Sequence, residues 1–169
     1  MSASGLDVFD KTLQTTHIWL NEIMDEIGAD KPVAWSVLGA VVRAVRDRIP
    51  LGLAAHLGAE LPLLVRGVYY DQWSPATPPE RYRSLDRFLD RVTANLGAIH
   101  PVDPHSAARA VFRVLSRHVP EGQIRAVREA LPAGVRALWP PEMGNVGDPA
   151  SVVLGRVTAQ PEPARNIRT

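Results

Sequence analysis

Cysteine is absent from the 169 residues. That removes disulfide frameworks, thiolate nucleophiles and cysteine-based zinc sites from consideration. Lysine is nearly absent too: Lys11 and Lys31 are its only examples, so arginine carries almost all the positive charge. Together with abundant Ala, Val and Pro, this matches the composition expected from a GC-rich bacterial genome. No stretch of about 18 consecutive apolar residues occurs, so no segment reads as a membrane-spanning helix. The N-terminus, MSASGLDVFDKTLQ, lacks the basic start and apolar run of a signal peptide. The expected address is the cytoplasm. Nucleophile elbows, phosphate-binding loops and dinucleotide fingerprints are all missing. So is the Glu-x-x-His pair that di-metal helical bundles need. Neither an enzyme nor a bound cofactor is expected.

What the chain does contain is one phrase stated twice. PLGLAAHLGAELPLLVRGVY runs from Pro50 to Tyr69, and PEGQIRAVREALPAGVRALW from Pro120 to Trp139. Both read Pro-x-Gly, eight further residues, then Leu-Pro-x-x-Val-Arg-x-x-aromatic. One offset maps Pro50, Gly52, Leu61, Pro62, Val65 and Arg66 onto Pro120, Gly122, Leu131, Pro132, Val135 and Arg136. The correspondence extends outward. Residues 19–29 align with 88–98, residues 33–69 with 103–139, and thirteen of the 48 pairs are identical. Chance would give about three identities at average residue usage. The chain therefore reads as a duplicated four-helix unit.

Apolar spacing of three and four residues predicts the helices. The first spans 7–27, through Phe9, Leu13, Leu20, Ile23 and Ile27, and Gly28 suits a left-handed cap. The second starts at Asp30–Pro32, exposes an apolar face from Trp35 to Ile49, and is limited by Pro50. Short helices follow over 52–60 and from Pro62, with Trp73 extending the latter. Pro62 and Pro132 are expected in first helical turns, and Gly52 and Gly122 in tight turns. The prolines of SPATPPERY forbid continuous helix or paired strand. Ser84 then caps Leu85–Leu96, Asp103 and Pro104 open a sixth helix, and 122–130 and 133–139 complete the second copy. The predicted architecture is all-α: two pseudo-symmetric four-helix repeats packed into one globular bundle. The divisions are 1–73, a Pro-rich linker at 74–84, 85–139, and a flexible tail from 140 to 169.

The paired Pro-x-Gly … Leu-Pro-x-x-Val-Arg-x-x-Tyr/Trp pattern, with Phe88-Leu-Asp-Arg-Val before it, resembles the bacterial family catalogued as domain of unknown function 2267. The resemblance covers about residues 7–139. It implies an all-helical cytoplasmic protein of two similar halves, and it implies no activity.

Charge is divided between the halves. Residues 1–73 carry nine acids against six bases, and residues 85–139 carry five against eight. Arg109, Arg113 and Arg117, four apart on the sixth helix, form a stripe that phosphates would suit. The acids Glu22, Asp25 and Glu26 offer the same stripe an intramolecular or dimer partner instead, and the modest net charge disfavours nucleic acid. Arg66 and Arg136 need acceptors. Either they clamp a helix end or a carboxylate, or with Trp35 they line an anion or small-ligand pocket between the repeats. His100, Asp103 and His105 have metal-capable side chains, but Asp103 is better used as a helix cap, so no metal is expected. Tyr70 and Trp73 crowd aromatics suited to an interface. Val152, Val153 and Leu154 form an apolar patch in the polar tail. The leading expectation is a non-enzymatic interaction or scaffold protein that docks a protein partner through this C-terminal tail or self-associates, with small-ligand or anion binding between the repeats as the alternative.

Overall fold

A computed structural model of the chain describes residues 4–98 and 102–141. Among the described residues there are eight α-helices and no strands: α1 (Asp7–Ile27), α2 (Lys31–Arg48), α3 (Leu51–Glu60), α4 (Leu63–Tyr70), α5 (Leu85–Leu96), α6 (Pro104–His118), α7 (Glu121–Ala130) and α8 (Ala133–Arg136). The protein is all-α, as its apolar periodicity requires.

The longer helices begin and end where their capping residues dictate. Asp30 accepts the Val33 amide at 3.1 Å, Ser84 that of Arg87 at 3.3 Å, and Asp103 that of Ser106 at 2.9 Å. Each satisfies a donor that the first helical turn leaves unpaired. The Ser106 hydroxyl and amide also hold the Asp103 carboxyl below its ordinary value. Gly28 ends α1 with φ 67°, a left-handed conformation that costs glycine nothing.

The short helices depart from the expected boundaries in an informative way. Pro50, Pro62, Pro120 and Pro132 are N-caps with ψ between 137° and 152°, not first-turn residues. Each is extended, and the helix starts at the next residue. Gly52 and Gly122 therefore lie inside the first turns of α3 and α7, not in tight turns. Neither has a positive φ, and a Cβ built on either meets nothing within 4 Å. Gly52→Ala and Gly122→Ala are expected to leave stability unchanged or raise it by about 0.5–1 kcal/mol, since only unfolded-chain entropy is removed. Urea unfolding followed by circular dichroism checks this, and a loss at either position would mean that the small side chain has another role. Helix α4 stops at Tyr70 and does not reach Trp73, because Gln72 takes φ 54° and turns the chain. Helix α8 is likewise shorter than expected and ends at Arg136.

Both halves contribute to one continuous core. It includes Trp19, Leu38, Val42, Leu57, Val65 and Tyr69 from the first half, and Phe88, Val92, Phe112, Leu115, Val135 and Trp139 from the second. The most extensive helix pair is α2 against α5, and α1 packs on α6 and α3 on α7. Each of these pairs joins the two halves. Asn95 of α5 adds a polar tie by donating to the Ala40 carbonyl of α2 at 3.0 Å. The Pro-rich stretch from 74 to 84 is irregular but pinned. The Glu80 amide donates to the Asp47 carbonyl at 2.8 Å, and Arg48 Nε donates to the Tyr82 carbonyl at 3.0 Å with its guanidinium over the Tyr82 ring.

Candidate interaction surface

The arginines of the repeated phrase are helix clamps. Arg66 Nε donates to the Gly58 carbonyl at 2.9 Å, and Nη2 donates to those of Ala59 and Leu61 at 2.9 and 3.0 Å. These are the last carbonyls of α3, which no glycine cap satisfies because Pro62 follows directly. Arg136 repeats the arrangement on α7, with Nη2 donating to Leu131 at 3.2 Å and to Glu129 at 3.5 Å. A guanidinium suits both the fan of carbonyls and the negative end of the helix dipole. Val65 and Val135 are fully buried, while Leu61 and Leu131 fill the corner between the helices. The aromatic ending the phrase, Tyr69 or Trp139, also enters the core. Tyr69 donates to the Ala54 carbonyl at 2.7 Å, and burial pushes its phenol above the ordinary value.

Trp35 is partly buried against the core, and the shallow cavity that Arg66 borders is lined by neither Trp35 nor Arg136. Two members of the arginine stripe are engaged across the halves. Arg113 meets Glu26 at 3.0 Å and Arg117 meets Glu22 at 3.2 Å, while His118 lies 2.8 Å from the other Glu22 oxygen and stacks on Trp19. Only Arg109 of the three has no ion-pair partner among the described residues. Tyr70 reaches the Ala55 carbonyl at 3.2 Å and packs its ring between Tyr69 and Trp73. His100 and the patch Val152–Val153–Leu154 lie outside the described residues. Among those described, no group of three His, Asp or Glu side chains is placed to hold a metal. No helix among them is long and apolar enough to cross a membrane.

An exposed apolar feature lies at the start of α1. Leu6, Phe9 and Leu13 are 52%, 50% and 45% exposed. Phe9 and Leu13, four residues apart, share one helix face, and Leu6, the extended N-cap of α1, precedes them. The same stripe continues into Leu20, Met24 and Ile27, which do pack on the core. Burial begins only at Thr16 and Trp19, so the first two turns of α1 carry a core-type face beyond the body that would cover it. Val8, Thr12 and Thr15, about a third of a turn away, instead border a shallow cavity over Leu61, Leu63 and Arg66. Leu63 and Leu64 on α4 add exposed apolar surface. The apolar spacing of α1 was visible in the sequence. That the body stops short of its first turns was not.

The family described as uncharacterized conserved protein (DUF2267) matches residues 16–138. The match begins at Thr16, where the buried part of α1 also begins. No curated protein matches the chain.

Proposed function

The chain belongs to the DUF2267 family, and from that premise, which carries no activity with it, we propose that it is a non-catalytic assembly module. Its rigid helical body presents the first turns of α1 as a docking face. The observation that carries this reading is the exposed stripe Leu6–Phe9–Leu13. An isolated exposed leucine is ordinary, but an apolar stripe continuous with a core face marks a contact.

The occupant it best fits is the same stripe of a second copy. The stripe is nearly symmetric about its midpoint. Antiparallel pairing sets Leu6 against the partner copy's third stripe position and brings the two central aromatics together, which is what an isologous twofold contact demands. The nine helical residues before Thr16 span only about 14 Å, so the contact falls below the roughly 800 Å² per partner of a stable interface. The dimer is therefore weak and reversible. A scaffold whose assembly responds to its own concentration follows from that. Nucleic-acid binding has less support, because Glu22 and Glu26 already occupy Arg117 and Arg113.

Sedimentation velocity over a concentration series tests the reading. Reversible dimerisation is expected, and Leu13→Asp should abolish it without lowering the melting temperature, since Leu13 lies outside the core. A chain that stays monomeric throughout, or a dimer indifferent to Leu13→Asp, would overturn it.

A further inference from the structure

A second site, unrelated to the α1 face, lies where the chain passes from one half to the other. The end of α2, the start of α3, the turn after α4 and the proline strap enclose a cleft of about 420 Å³. That is within the range of small-molecule pockets. Its floor is Arg46, only 6% exposed. Arg46 Nε pairs with Asp47 at 2.7 Å, and Nη1 donates to the Tyr69 and Asp71 carbonyls at 2.6 and 3.1 Å. Nη2 has no hydrogen-bond partner among the described residues, although Arg46 borders the cleft. Nη2 is not among the fully buried unpaired polar atoms of the described residues, so it can be reached from the cleft by an acceptor oxygen.

The duplication separates this feature from the shared architecture. The position equivalent to Arg46 in the second half is Ser116, and that of Asp47 is Arg117. The second copy builds the same succession of helices without the pair. The turn that closes the cleft is also singular: Gln72 is the only non-glycine residue with positive φ among the described residues. That conformation swings Trp73 to the cleft wall.

We propose that the cleft binds a free α-amino acid with an apolar or aromatic side chain. Arg46 Nη2 takes the carboxylate. Asp47, one-third exposed, and Glu80 take the ammonium. Trp73, Ile49, Leu51 and the prolines of the strap hold the side chain. Both Glu80 oxygens are already paired with Arg91, Nε donating to Oε2 at 2.8 Å and Nη2 to Oε1, so Glu80 meets the ammonium through its remaining lone pairs. The Arg46–Asp47 pair thus puts a donor and an acceptor side by side, in the order a zwitterion presents its own charges.

Isothermal titration and amide chemical-shift mapping of the full chain with millimolar phenylalanine and leucine test the assignment. Saturable shifts confined to residues 46–51 and 72–80 are expected. N-acetyl-phenylalanine and phenylalaninamide, each lacking one charge, should bind about tenfold more weakly or not at all, as expected when a charged hydrogen-bonding group loses its partner. Trp73→Ala and Glu80→Gln, neither of which removes a fully buried side chain, should each weaken binding. Absence of shifts with every amino acid tried, equal binding of the blocked derivatives, or unchanged binding in both variants would overturn the proposal. None of these outcomes depends on whether the chain dimerises through α1.

Discussion

Arg46→Ala is expected to lower the free energy of unfolding by about 3 kcal/mol, the range seen when one member of a buried, hydrogen-bonded charged network is removed. The guanidinium satisfies the Tyr69 carbonyl at the end of α4, the Asp71 carbonyl beyond it and the Asp47 carboxylate at once. Truncation removes the donor of the buried Tyr69 carbonyl. It also leaves a void where the side chain lay. Arg46→Lys should recover less than half of the loss, because a single ammonium cannot reach three acceptors in one plane. By contrast, Glu26→Ala removes only the exposed pair with Arg113 and should cost less than about 1 kcal/mol. Urea unfolding at constant m-value measures all three. A cost for Arg46→Ala no greater than that for Glu26→Ala would show that Arg46 does not anchor the turn.

Phe112→Ala is expected to cost about 4 kcal/mol, the largest single effect of any substitution considered. Phe112 is fully buried. Its ring is parallel to Trp139 at a centroid distance of 4.2 Å and tilted against Phe88 at 6.0 Å. Truncation would open a cavity bounded by two flat rings that cannot close on it, so both transfer energy and packing are lost. The equivalent residue in the first half is Val42, also fully buried. Val42→Ala removes far less volume and should cost about 2 kcal/mol. The two aligned sequence positions are thus filled differently, and unfolding measurements on both variants resolve the difference. Phe112→Leu, close in volume, should lose less than about 1.5 kcal/mol. A Phe112→Ala cost below that of Val42→Ala would mean that the aromatic stack relaxes on truncation.

Most helix boundaries were legible because they depend on neighbours in sequence. Asp30, Ser84 and Asp103 cap the residue three ahead of them, and Gly28 stops α1 through its own backbone. The misplaced glycines show the limit of that logic. Pro-x-Gly resembles a turn, but the proline's fixed φ suits an N-cap followed at once by helix, and Gly52 is simply the second helical residue. Arg46 carried a faint local signal, since it stands four residues after Val42 and three before Ile49, within an apolar stretch. Its three acceptors come from Asp47, Tyr69 and Asp71, and no periodicity within α2 announces the last two.

By itself, the sequence determined that the chain is helical, where most of its helices start and stop, and that its two halves share a phrase. Those properties follow from contacts within one or two turns, which spacing and capping residues specify. Only the tertiary structure decided that Arg66 and Arg136 close helix ends within their own halves, and that Glu22 and Glu26 take up part of the arginine stripe. It alone left Leu6, Phe9 and Leu13 uncovered and set Arg46 at the floor of a cleft. Each of these depends on which distant carbonyl, carboxylate or apolar surface arrives opposite a side chain. That is settled when the helices of the two halves pack into one core, and not before.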